Sequence, residues 1–128
     1  MSVTEEYLEY TKKHLNDYGE KSIVLMKVGA FYEMYGLKNA SNMVIGSKVE
    51  IICKMCDLQL SERSNMFHNT MPVLIAGFRD YCLEKYVEKI TSEDYTCFVY
   101  DQYEIDKKFH RKLVNIYSRG TYFNTNET

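Results

Sequence analysis

The 128-residue sequence has no tryptophan, a single proline and only three histidines. No apolar run approaches the roughly 20 residues that a membrane-spanning helix needs. The opening MSVTEEYLEY is acidic and polar, which excludes a secretory signal over these residues. A phosphate loop of the G-x-x-x-x-G-K-[ST] kind is absent, so nothing here is built to hold ATP. A second C-x-x-C or an H-x-x-x-H to complete Cys53 and Cys56 as a zinc site is also absent. Positive charge is not in excess either: the formal net charge is -2. Neutralised phosphates supply most non-specific affinity for nucleic acid, so composition argues against a strong autonomous DNA binder. It leaves room for a small reading head whose clamp lies elsewhere.

What is present fits one globular domain. The apolar share is 45%, the charged share 27%, and tyrosine is abundant at 12 residues. Without a secretory signal, Cys53, Cys56, Cys82 and Cys97 read as reduced core thiols of an intracellular protein. Residues 4–18 predict a helix capped by Thr4, with Glu5 and Glu6 in its first turn, Gly19 at its end, and Tyr7, Leu8, Thr11 and Leu15 on one stripe. SIVLMKV (22–28) predicts a buried strand, and FYEMY (31–35) a second one closed by Gly36. Residues 42–56 are compatible with a helix, 57–60 with a short strand, and 61–70 with a polar loop. PVLIAGF (72–78) predicts a buried strand. Residues 80–90 predict a helix capped by Asp80, with Tyr81, Leu83, Tyr86, Val87 and Ile90 as its apolar positions. Residues 95–102 and 109–118 predict the last strands, joined by a charged turn at 103–108. The alternation predicts an α/β (α+β) fold: a mixed sheet of about six strands flanked by about three helices. The domain spans 1–121 and a polar tail 122–128.

Six segments, in order, carry a resemblance. YLEYTKKH (7–14) is similar to a Tyr- and Leu-rich opening helix, and VGAFYEMYG (28–36) resembles a strand carrying Gly-x-Phe-Tyr-Glu. LQLSER (58–63), IAGFRDYCLEKYVEKI (75–90), CFVYDQ (97–102) and VNIYSRGT (114–121) resemble the stretches that follow in the same family. That family is MutS, and the resemblance is to its N-terminal mismatch-recognition domain, domain I. Gly77-Phe78-Arg79-Asp80 departs from the family's Gly-Ile-Pro-Tyr, which predicts a reshaped turn before the helix. Ser118-Arg119-Gly120 departs from its Thr-Pro-Gly.

The resemblance implies a non-catalytic module that binds double-stranded DNA with mismatches or small loops. It implies that Phe31 wedges beside a mispaired base from the minor groove and that Glu33 hydrogen-bonds that base. It further implies no cofactor in this chain, with ATP and Mg held by a separate ATPase domain of a longer parent, and a dimer partner engaged through regions outside this sequence. The last matching segment falls at the family's domain end, which favours an excised domain over a free-standing protein.

Strand geometry supports the reading pair independently, since residues i and i+2 project together about 7 Å apart. An F-x-E on an edge strand is otherwise one core aromatic and one solvated acid, and that reading stands beside the sharper one. Arg63, Arg79 and Lys38 are candidate DNA-backbone contacts, with Lys27, Lys48 and Lys54 behind them. Lys107, Lys108, His110, Arg111 and Lys112 form the only basic cluster, read as covering a strand end. Phe67 and His68, in the expected loop, could stack on a nucleotide. Two other functions compete. One is a protein-interaction module that keeps the fold without reading DNA. The other is a nuclease-like metal site of Glu33, Asp57 and Glu62, whose spacing follows no established metal pattern.

Overall fold

A computed structural model describes residues 1–120. Helix α1 covers Val3–Tyr18. It starts earlier than Thr4 because Ser2 and Glu5 form a capping box. The Glu5 N–H donates to Ser2 Oγ at 3.1 Å and the Ser2 N–H to Glu5 Oε1 at 3.3 Å. Two otherwise orphaned donors are thereby satisfied. Thr4, the expected cap, is buried against the core instead. Gly19 ends the helix as expected, its N–H reaching Leu15 O at 3.0 Å.

Strand β1 (Ser22–Val28) is the centre of the sheet. It pairs antiparallel with β2 (Phe31–Lys38) and parallel with β6 (Thr96–Ile105). Both faces of β1 are covered over Ile23–Met26, which is why that stretch is continuously apolar rather than alternating. The seven-stranded mixed sheet runs β4-β5-β2-β1-β6-β7, with the two-residue β3 (Val44–Ile45) beside β2. Strands β4 (Ser61–His68) and β5 (Met71–Arg79) form one edge, and β7 (Lys108–Tyr117) the other. Helix α1 lies on one face, where Tyr7 is fully buried, donates to Val24 O at 2.8 Å and packs on Tyr35. Helices α2 (Val49–Cys56) and α3 (Leu83–Ser92) lie on the other. There Phe78 stacks on Tyr86 and meets Tyr32 at a tilt.

Five expectations need correction. Strand β2 does not close at Gly36 but runs through it to Lys38. A Cβ at Gly36 would sit 2.8 Å from Val49 Cγ1, so the bare backbone is what admits α2 against the strand. Residues 57–60 form no strand, and the polar segment 61–70 is not a loop: most of it is β4. An edge strand has one partner and a largely solvated surface, so it needs no apolar alternation, and a bulge between Glu62 and Phe67 breaks what periodicity remains. The turn at 103–108 shrinks to Asp106 and Lys107, both at positive φ, because the flanking residues extend the β6–β7 hairpin. Asp80 does not cap α3 directly. It opens a 3-10 turn, Asp80–Cys82, that leads into the helix without a side-chain cap. The polar tail expected at 122–128 lies outside the described residues.

Candidate nucleic-acid interface

Strands β1 and β2 are joined by the two-residue turn Gly29-Ala30, and Phe31 is the first residue beyond it. The turn is held from two sides. The Gln102 side chain accepts from the Gly29 N–H at 3.2 Å and donates to its carbonyl at 3.3 Å, imitating a neighbouring strand. The Asp80 N–H donates to Ala30 O at 2.9 Å. Asp80 and Asp101 also flank the Lys27 ammonium, at 3.5 and 3.9 Å. None of these supports was legible in the sequence, because residues from three distant segments converge on one turn.

On this frame Phe31 is 39% exposed although it is a large aromatic in a strand, whereas Tyr32 is turned inward and buried. Glu33 points to the same side as Phe31 and is half-buried. Across the ladder Phe31 faces Arg79 and Glu33 faces Gly77. The Arg79 guanidinium lies 4.9 Å from the Phe31 ring centre, a cation–π contact, and pairs with no carboxylate among the described residues. Tyr35, two residues on, donates its hydroxyl to Glu33 Oε1. Burial pushes the Tyr35 phenol well above its usual range, and the hydrogen bond to Glu33 pushes it further.

The other candidates are dispersed. Arg63 is exposed beside the β4 bulge, and its charge reaches Tyr35. Lys38 sits at the opposite end of β2 from Phe31, roughly 23 Å away at about 3.3 Å per residue. Its ammonium is 2.8 Å from Glu62 Oε2. Phe67 and His68 also belong to that far end, where they pair with Pro72 and Met71. Lys48 is paired with Glu20 at 2.6 Å, and Lys54 is exposed. In the basic cluster, Arg111 is committed to Glu6 at 3.0 Å and to Lys27 O at 2.8 Å, while Lys112 and His110 pack on Tyr103. Glu33, Asp57 and Glu62 do not converge: among the described residues no group of three or more His, Cys, Asp or Glu could hold a metal ion. The Cys53 thiol is pushed up to about 11 by burial, the opposite of what a reactive or metal-binding thiolate requires. Among the described residues no helix is long and apolar enough to cross a membrane.

The architecture and this end of the sheet define a small α+β binding module. A family model described as MutS domain I matches residues 4–126, and the chain belongs to that family. Membership supports, in general terms, a DNA-binding module of the mismatch-recognition kind. No curated protein matches the chain at a significant level.

Proposed function

We propose that this chain reads mispaired or lesioned DNA by inserting the Phe31 ring beside the faulty base from the minor groove, with Glu33 hydrogen-bonding that base. The observation that carries the proposal is the exposed Phe31 ring at the end of a braced hairpin, with Glu33 on the same face. An apolar ring pushed into a base step unstacks it and kinks the duplex, and the deformation is less costly where pairing is already defective. A carboxylate near phosphates is unfavourable unless it meets a base donor, which makes Glu33 a discriminator against sound DNA. Arg79 and Arg63 are the backbone contacts this reading uses first. Lys38 joins only if it leaves Glu62.

The net charge of -2 supports a division of labour in which a dimer partner supplies the clamp and this domain supplies the reading. ATP and Mg then belong to a separate ATPase domain of a longer protein, acting wherever the cell or virus keeps its DNA. The same charge also favours the second reading, an interaction module that no longer reads DNA. A duplex carrying 2-aminopurine beside a mismatch separates the two. Full-length protein with Phe31 should brighten the probe by unstacking it, and Phe31→Ala should not. An unchanged signal with the native protein would favour the interaction module.

A further inference from the structure

The geometry points to Tyr35 as the residue that positions Glu33, holding one carboxylate oxygen so that the other alone is offered to a base. The inference rests on the reading of Glu33 as a base contact. Tyr35 lies two residues after Glu33, so both side chains leave β2 on one face. Its hydroxyl donates to Glu33 Oε1. The ring itself has little freedom: it is 4% exposed and packs on Tyr7, whose centroid is 5.3 Å away. Tyr7 is in turn fully buried and tied to Val24 O. The donor that grips Glu33 is therefore anchored through α1 to the central strand.

The opposite flank is kept clear for the carboxylate. Gly77 faces Glu33 across the ladder, and a Cβ there would come within 2.6 Å of Tyr32 O and 3.5 Å of Glu33 Cγ. A side chain at 77 would displace Glu33 or the strand itself.

The identity of the donor matters as much as its place. No ammonium or guanidinium pairs with Glu33 among the described residues. Arg111, whose charge reaches Tyr35, is committed to Glu6 and Lys27 O. A cationic partner would orient the carboxylate but cancel its charge. A phenol orients it and leaves the negative charge available to repel the phosphates of correctly paired DNA. The pair thus keeps a discriminating charge in a fixed direction.

The test is a double-mutant cycle in the full-length protein, measuring affinity for mismatched and matched duplexes. Tyr35→Phe keeps the ring against Tyr7 and removes only the hydroxyl. It should reduce the preference for mismatched DNA about three- to tenfold, the scale of one charge-assisted hydrogen bond in a partly wet site. In a Glu33→Ala background the same change should do nothing further. Equal losses in both backgrounds, or no loss beside Glu33, would overturn the positioning role while leaving Glu33 as the reader. If Glu33→Ala alone leaves the preference untouched, the base-contact reading fails first and this inference with it. A second readout uses the 128-residue chain: the Tyr35 hydroxyl proton should resonate downfield in the NMR spectrum and shift upfield in Glu33→Ala. An unmoved resonance would also overturn the proposal.

Discussion

Phe31 and Arg79 face each other across the β2–β5 ladder, and the guanidinium covers the ring from 4.9 Å. The exposed aromatic therefore does not project alone: a cation with no carboxylate partner among the described residues sits over it. Under the proposed reading, wedge and phosphate contact would share one patch, which would couple contact with the DNA backbone to insertion at a base step.

Truncation of the wedge should separate recognition from binding. Phe31→Ala in the full-length protein is expected to lower mismatch affinity about 10- to 100-fold, since stacking on a base contributes about 1–3 kcal/mol. Affinity for matched DNA should change little, because unstacking a sound step cancels most of that gain. Glu33→Gln should act from the other side, raising matched-DNA binding as the charge is removed. Equal losses on both duplexes for Phe31→Ala would make Phe31 a packing residue.

Arg79→Gln should weaken binding to matched and mismatched DNA alike. If the guanidinium meets a phosphate, the slope of log K against log salt should fall by about 1. Titrations at several salt concentrations measure this. An unaltered slope would confine Arg79 to its contact with Phe31.

The clasp on the reading turn is testable without DNA. Gln102→Ala removes both side-chain bonds to Gly29. Amide exchange at Gly29 should accelerate, and global stability should fall by only about 1 kcal/mol, as befits partly solvated hydrogen bonds. Unchanged exchange at Gly29 would show that the Asp80 N–H suffices.

His14 makes stability depend on pH. Its ring is 3% exposed, stacks on Phe98 at 3.8 Å, and shares a 2.7 Å hydrogen bond between Nε2 and the Tyr100 hydroxyl. Nδ1 has no hydrogen-bond partner among the described residues, and burial, assisted by Lys13 and opposed by Asp17, holds the imidazole below its usual pKa. Above the unfolded-state value of about 6.5 both states are neutral here, and the native contribution is complete. As pH falls below that value the unfolded chain takes up the proton first, so stability declines until the folded-state pKa is passed. The decline from this group is at most about 1.4 kcal/mol per pH unit. Denaturant titrations of the native chain and His14→Gln, carried downward through the free-imidazole value of about 6.5, should show a steeper loss in the former. Parallel curves would remove His14 from the account.

Much of this protein was determined by local sequence. The apolar run Ile23–Met26 of β1 required a strand covered on both faces, the spacing of Leu83, Tyr86, Val87 and Ile90 required an amphipathic helix although Tyr81 stays exposed ahead of it, and Gly19 marked the end of α1. Each signal is carried by neighbouring residues and needs no partner to be read. The alternation at Phe31, Tyr32 and Glu33 likewise put two side chains out and one in. Tertiary structure decided whatever depended on who lies across the sheet. Strand β4 has no apolar period because only β5 defines it, and Gly36 sits inside a strand because α2 needs its missing side chain. Lys38 meets Glu62 at the far end of β2, His14 is buried against Phe98 and hydrogen-bonded to Tyr100, and Gln102 closes on Gly29, each through pairing between segments distant in the chain. Register between strands is fixed by the packing of the whole sheet, so the neighbours that support Phe31 and orient Glu33 exist only once that sheet has formed.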